Sequence, residues 1–176
     1  MAAQEIIFAG FGGQGILSMG KFLAYAGMDA NLNVSWLPSY GPEMRGGTAN
    51  CSVILTDDSI GSPIVTEAST VVVMNRPSLD KFEDTIAPNG LLIMDSDLVN
   101  RMPVREDLEV IAIPAQTIAE ELGSKKIANM VLLGALVKKT NIVSMEVLLD
   151  SLKGHGKASF FEVNKSALER GAAYVK

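Results

Sequence analysis

Two short stretches of this sequence carry residue types that can hold a ligand. The first is Gly10-Phe11-Gly12-Gly13-Gln14-Gly15. Its glycines at 10, 12 and 15 have the G-x-G-x-x-G spacing, and the stretch falls between an apolar run and a helical pattern, the context this motif needs. Gly10 permits a tight turn, Gly12 lets backbone N–H groups approach a phosphate, and Gly15 lets the following helix lie close to the sheet. The start of that helix would add partial positive charge at the same point. Two readings follow. Either the glycines only solve a strand-to-helix packing problem, or they cradle a phosphate-bearing ligand. A dinucleotide would also call for an Asp or Glu at the end of the second strand, to hold a ribose hydroxyl. Here that strand ends Val34-Ser35-Trp36-Leu37-Pro38, and the nearest acid, Asp29, precedes it.

The second stretch is Pro38-Ser39-Tyr40-Gly41-Pro42-Glu43-Met44-Arg45-Gly46-Gly47. It should begin at the carboxyl edge of the sheet, where open α/β folds meet their ligands. Arg45 supplies a guanidinium that can fork around two phosphate oxygens. Gly46 and Gly47 leave backbone donors free, and Tyr40 and Met44 can add apolar contact. Taken alone, Arg45 reads as well as the partner of Glu43 or another surface acid.

Other reactive side chains are few. The single cysteine, Cys51, lies within a strand-like run and reads as a buried thiol. One cysteine cannot supply an iron–sulfur cluster, for which four are the ordinary set. The single histidine, His155, stands between two glycines with no ligand cluster near it. We expect no metal centre and no catalytic residue on this chain.

The elements that must position these groups follow from apolar periodicity. Strands are expected at Glu5 to Ala9, Leu32 to Leu37, Thr48 to Leu55, Thr70 to Met74, Leu91 to Met94 and Glu109 to Ile113. After the turn at Asp57-Asp58 and Gly61, Ser62 to Val65 is expected to return as the second arm of a β-hairpin. Ile16, Met19, Phe22, Leu23 and Ala26 mark a first helix, with Gly27 just past its end. Pro77 opens a second. Thr117 to Leu122, Lys126 to Lys139, a stretch after Ser144, and Phe160 to Tyr174 complete a helical C-terminal portion. The Asn129 to Val137 stretch is apolar on most faces, so it is buried either as the central helix of the domain or against a partner chain. The pairs Lys125-Lys126 and Lys138-Lys139 read as solvated helix ends, and Phe160-Phe161 as a weaker interface candidate. Strands alternating with helices predict a Rossmann-like, doubly wound α/β fold: a mostly parallel sheet with one β-hairpin, forming a single domain over residues 1–176.

Bulk properties narrow the class. The 176 residues suffice for one core. A net charge of −5 without a basic stripe argues against nucleic acid. No run of about 18 apolar residues exists to cross a bilayer, and no signal peptide opens the chain, so the cytoplasm is the expected compartment.

Four stretches together resemble a known family. They are GFGGQGILSMGKFLAYAG (Gly10–Gly27), SYGPEMRGGTANCSV (Ser39–Val53), the apolar strand leading into Asn75-Arg76-Pro77, and NMVLLGAL (Asn129–Leu136). This pattern is similar to the gamma subunit, or gamma domain, of the 2-oxoacid:ferredoxin oxidoreductases, and is closest to the 2-oxoglutarate type. The resemblance implies a multi-subunit enzyme that oxidises a 2-oxoacid with coenzyme A to an acyl-CoA, carbon dioxide and reduced ferredoxin. It implies that thiamine diphosphate and the iron–sulfur clusters lie on partner subunits, in keeping with the missing cysteines and the lack of a thiamine diphosphate motif here. It also implies that the gamma domain lies beside the coenzyme A site. Gly12, Gly13, Gln14 and Gly15, with Arg45, Gly46 and Gly47, are then expected to line or shape that site. The alternatives are a stand-alone nucleotide-binding oxidoreductase and a purely structural subunit.

Overall fold

A computed structural model describes residues 3–39 and 48–176. Six strands form one sheet: β1 (Gln4–Phe11), β2 (Asn33–Ser39), β3 (Thr48–Thr56), β4 (Ala68–Val73), β5 (Ile86–Asp95) and β6 (Glu109–Ile113). Their spatial order is β2-β3-β1-β4-β5-β6. The β1–β4, β4–β5 and β5–β6 pairs are parallel, whereas β3 runs antiparallel to both its neighbours. The apolar runs of β1 and β4 are buried on both faces, as parallel strands in the middle of a layered fold must be.

Helices cover both faces, unequally. Ile6 and Phe8 of β1 point into the larger core, with α1 (Ile16–Asp29), α3 (Ala115–Glu121), α4 (Ala128–Thr140), α5 (Met145–His155) and α6 (Phe161–Tyr174). Ile7 and Ala9 point into a smaller core closed by Leu79 and Phe82 of α2 (Arg76–Phe82). Every residue from Ala128 to Val137 is buried by this chain's own elements, so α4 is the central helix of the domain. None of the described helices is long and apolar enough to cross a membrane.

Helix boundaries have local causes. Asn75 caps α2, its Oδ1 accepting the Ser78 N–H at 2.8 Å, with Pro77 inside the first turn. Ser144 does the same for α5 through the Val147 N–H. Gly123, at φ 106°, occupies the left-handed conformation beyond α3.

Two expectations are corrected. Ser62–Val65 is not a strand. Both edges of β3 are already taken by β1 and β2, and Pro63 has no N–H to give a ladder. The hairpin is β2–β3 instead, with Trp36 opposite Val53 and Ser39 opposite Asn50. Gly27 does not end α1, which continues to Asp29. It is glycine because α1 lies on the sheet there: an added Cβ would stand 2.9 Å from a Val34 methyl and closer still to Leu55.

Candidate functional site

The glycine loop leaves the carboxyl end of β1 and enters α1. Gly13 (φ 89°) and Gly15 (φ 75°) are both left-handed, a conformation that costs other residues about 1–2 kcal/mol. Gly15 is the residue before α1, which has no side-chain cap and no acid in its first turn. The first backbone N–H groups of a helix have no partner within it, and they carry the positive end of its dipole.

Gln14 braces this loop. Its Oε1 accepts the Phe11 N–H at 2.6 Å, and its Nε2 donates to the Met74 carbonyl at 3.2 Å, at the end of β4. With both ends of the amide engaged, Gln14 fixes the loop's shape and offers a ligand little else. Gly10 is required by the same contact, since an added Cβ would lie 2.6 Å from Gln14 Oε1. Gly15 faces α4, and a Cβ there would come 2.9 Å from the Asn129 Cγ. Asn129 donates from Nδ2 to the Gly15 carbonyl at 3.1 Å, and its Oδ1 accepts the Met130 N–H. Gly15 therefore seats α4 against the loop, a role distinct from the helix-on-sheet packing its spacing predicts. Asn129 was not singled out from the sequence, although one amide in an otherwise apolar helical run was the available signal.

The four loop residues Gly12, Gly13, Gln14 and Gly15 are thus brought together. Arg45, Gly46 and Gly47 lie outside the described residues, but the two ends of their segment are fixed. Thr48 pairs with Phe11, Ala49 with Gly10, and Ser39 with Asn50. Ser39 and Thr48, which flank that segment, therefore lie at the same sheet edge as the glycine loop. A hollow of about 320 Å³ opens between them, lined by Phe11, Gly12, Gly13, Leu17, Ser18 and Ala49 among others.

The geometry weighs against a dinucleotide. In a dinucleotide fold the strand after the first helix lies directly beside β1 and ends in the ribose-binding acid. Here β3 occupies that place, running the other way, and β2 is displaced one strand outward. What meets the loop is the start of β3, Thr48 and Ala49, with no carboxylate.

Cys51 is fully buried beside α1. Burial pushes its thiol up to about 12, against the opposing pull of Trp36 and the Gly20 backbone. A thiol so protonated is no nucleophile at neutral pH. At the far end of the sheet edge, Asp95 is also fully buried. Its oxygens accept the Asp97 N–H at 3.0 Å and the Gln116 amide at 2.9 Å, and burial raises its pKa in spite of them. These contacts give Asp95 the role of tying β5 to α3.

A family model described as pyruvate ferredoxin/flavodoxin oxidoreductase matches residues 5–174. The chain is 37% identical over 176 residues to ketoisovalerate oxidoreductase subunit VorA of Methanothermobacter marburgensis, covering 98% of this chain but only 36% of that one. It therefore spans about a third of that relative's length. It is 35% identical to 2-oxoglutarate synthase subunit KorC of Methanocaldococcus jannaschii, over 98% of this chain and 94% of the relative. Among solved structures, the gamma subunit of a keto/oxoacid ferredoxin oxidoreductase from Geobacter sulfurreducens superposes with a TM-score of 0.87 at 29% identity, covering 97% of both chains. The 2-oxoglutarate:ferredoxin oxidoreductase of Magnetococcus marinus, with 2-oxoglutarate, coenzyme A and succinyl-CoA bound, gives 0.88 at 27% identity, over 99% of this chain and 31% of that one. From the first strand to the last helix, this chain belongs to the pyruvate ferredoxin/flavodoxin oxidoreductase family.

Proposed function

We propose that this chain is the gamma subunit of a multi-subunit 2-oxoacid:ferredoxin oxidoreductase of the 2-oxoglutarate type, and that it helps to form the coenzyme A site. The complex oxidatively decarboxylates a 2-oxoacid with coenzyme A to acyl-CoA, carbon dioxide and reduced ferredoxin. Thiamine diphosphate and iron–sulfur clusters belong to its partner subunits, and this chain contributes no catalytic residue. The near end-to-end match to a 2-oxoglutarate synthase subunit supports the assignment, as does the likeness to an oxidoreductase with coenzyme A bound.

The observation that carries the coenzyme A reading is the shared edge. The glycine loop, braced by Gln14, presents the uncapped start of α1, and Ser39 and Thr48, the residues that flank the Arg45 segment, lie at the same edge. A ligand with several phosphates suits N–H donors on one side and an arginine fork on the other. In this reading Gly12, Gly13 and Gly15 offer backbone, Gln14 holds the loop, and Arg45 with Gly46 and Gly47 closes over a phosphate. The test is Arg45→Ala in the reconstituted complex. The Michaelis constant for coenzyme A should rise about tenfold or more, the loss of one charge-assisted hydrogen-bond pair worth about 1.5–3 kcal/mol, with assembly intact. An unchanged constant removes Arg45 from this role. Purification from the source without thiamine diphosphate and iron–sulfur partners would overturn the subunit assignment itself.

A further inference from the structure

The two edges of the sheet are β2 and β6, and their sequences differ in kind. β2 reads Asn-Val-Ser-Trp-Leu-Pro-Ser. Polar residues interrupt its apolar ones, and Pro38 has no N–H to offer a neighbour, one of the devices that keep an edge from pairing further. β6 reads Glu-Val-Ile-Ala-Ile. After Glu109 it is a continuous apolar run with no proline, lysine or glycine, the composition of a parallel strand buried on both faces. The inner strand β4 has both that composition and that burial. In β6, Val110, Ile111 and Ala112 are only half-buried. A sequence suited to an inner strand thus stands at an edge.

The outward groups of β6 follow from one hydrogen bond. The Ile113 carbonyl accepts the Ser96 N–H at 2.8 Å, so it faces β5. Successive residues of a strand turn their N–H and C=O to opposite edges, which points those of Ala112 and Val110 away from β5. Among the described residues, no backbone group outside the sheet bonds them. The strand is also held ready. Lys139, in the last turn of α4, pairs with Glu109 at its start. Just ahead, the Asp107 carboxylate accepts hydrogen bonds from Arg105 and the Asn89 N–H.

Unpaired main-chain groups on a fixed strand suit one kind of neighbour, another extended chain. Beside this edge a trough of about 290 Å³ runs between β6 and the end of α6, lined by Val110, Ile111, Ala112, Tyr174 and Val175 among others. The lining asks for apolar side chains at alternate positions of the incoming strand, one of them against Tyr174, which is 48% exposed.

Size decides where that strand comes from. The five residues of β6 make an edge about 17 Å long, and a sheet layer is about 10 Å thick. The contact is then about 170 Å² on each side, far short of the roughly 1,200–2,000 Å² that a stable pair of proteins buries in total. It is too small to hold a second copy of this chain by itself. It suffices for a segment whose own protein is already bound elsewhere, because the second contact is then intramolecular.

We propose that β6 becomes an inner strand in the assembled enzyme: an extended, alternately apolar segment of a partner subunit adds along its outer edge as a seventh strand. The inference rests on the subunit reading above.

Hydrogen exchange, read residue by residue in the isolated chain and in the reconstituted complex, tests it. In the isolated chain the Val110 and Ala112 amides should exchange faster than those of Ile111 and Ile113; in the complex this outer pair should slow at least a hundredfold. Ala112→Pro deletes one outward donor and leaves the bonds to β5 in place. It should weaken binding of the partner subunits at least tenfold, whereas Ala112→Ser, which keeps the N–H, should not. Tyr174→Glu, at an exposed position beside the trough, should weaken binding several-fold with the chain's own unfolding midpoint unchanged, and serves where the proline disturbs the fold. Unchanged exchange at Val110 and Ala112 in an assembled complex overturns the proposal and leaves the subunit reading standing. Failure of the chain to enter any complex with a thiamine diphosphate subunit overturns both. Protection of the two amides in the isolated chain, sedimenting as a dimer, would give the edge to a second copy and overturn the proposal too.

Discussion

Gly171→Ala bears directly on how the central helix is held. Along α4 and α6 the two backbones touch through glycine. A methyl added at Gly171 would lie 2.7 Å from the carbonyl carbon of Val131 and closer still to its oxygen; one at Gly134 would lie 2.7 Å from the carbonyl carbon of Leu168. Carbon atoms need roughly 3.5–4.0 Å, so each contact is close to an ångström too short. The obstacle is main chain inside a buried helix and cannot rotate aside, so the helices must part. Overpacking of this kind costs about 1–3 kcal/mol and occasionally more, and the rigid obstacle puts Gly171→Ala near 3. Alanine returns about 1 kcal/mol of helix propensity, leaving a net loss of about 2 kcal/mol. For a chain of this size that lowers the unfolding midpoint by about 4–8 °C.

Urea denaturation followed by circular dichroism reads the change as a fall in midpoint at constant slope. The control is Gly154→Ala in α5, where an added Cβ meets nothing within 4 Å. The same substitution should there stabilise by about 0.5–1 kcal/mol. One parting movement relieves both close contacts, so Gly134→Ala/Gly171→Ala should cost less than the sum of the single variants. A Gly171→Ala protein as stable as Gly154→Ala would refute the backbone contact, and with it the placement of α6 on α4.

Three further outcomes follow from particular contacts. Asn129→Ala removes the only side chain seen to reach the Gly15 carbonyl among the described residues; about 1–2 kcal/mol of stability should go, and amide exchange at Gly13–Gly15 should speed up, whereas unchanged exchange would free the loop from α4. Cys51 should resist a thiol reagent in the native chain at pH 8 and react only at the rate of unfolding, since burial holds it near 12; prompt labelling would show the strand open to solvent. Asp107 is held down to about 2, first by its Arg105 hydrogen bonds and then by the Asn89 N–H; its contribution to stability is present above about 4 and lost as pH falls through about 2, so Asp107→Asn should flatten that acid limb, and a carboxyl that titrates by NMR at the ordinary value would refute the clamp. Asp95 has the opposite sign: its raised pKa means the group stabilises the fold most below the unfolded value and loses that contribution as pH rises through the folded one.

The sheet and its helices were legible because both rest on apolar periodicity. β1, β4 and the second half of β5 from Leu91 are continuous buried runs, and α4 is apolar all round, so each reads correctly with no knowledge of its neighbours; Ile86 to Gly90, half-exposed and holding Pro88 and Asn89, does not read as the start of β5 that it is. What periodicity cannot report is lateral pairing. Ser62–Val65 has strand-like content, but its fate was decided by β1 and β2 already occupying both edges of β3. Gly27 fails the same way: a glycine in a helix can mean an end or a close approach, and only the opposing surface tells which. In the site, the G-x-G-x-x-G spacing located the loop, but not the partners that shape it. Gln14 reads as a polar residue open to a ligand until Met74, 60 positions away, comes to lie beside it.

The strand order bears on which ligand the loop can serve. A G-x-G-x-x-G turn holds phosphate, and what it excludes depends on the strand that comes to lie beside it. Inserting β3 antiparallel next to β1 replaces the end of a parallel strand, with its ribose-holding acid, by the start of a strand. Two consequences follow together. The position from which a dinucleotide's adenosine is gripped is filled by Thr48 and Ala49. The two residues that flank the Arg45 segment, Ser39 and Thr48, lie at this same edge. One topological change thus removes the acid suited to a sugar hydroxyl and sets the flanks of the Arg45 segment beside the loop. Restoring an acid by Ala49→Asp should therefore confer no NADH binding, as read by nicotinamide fluorescence. The missing feature is a parallel strand directly beside β1, and a carboxylate at residue 49 would stand beside the loop without it. Enhanced NADH fluorescence in that variant would show that side-chain charge alone, and not strand order, sets the loop's preference.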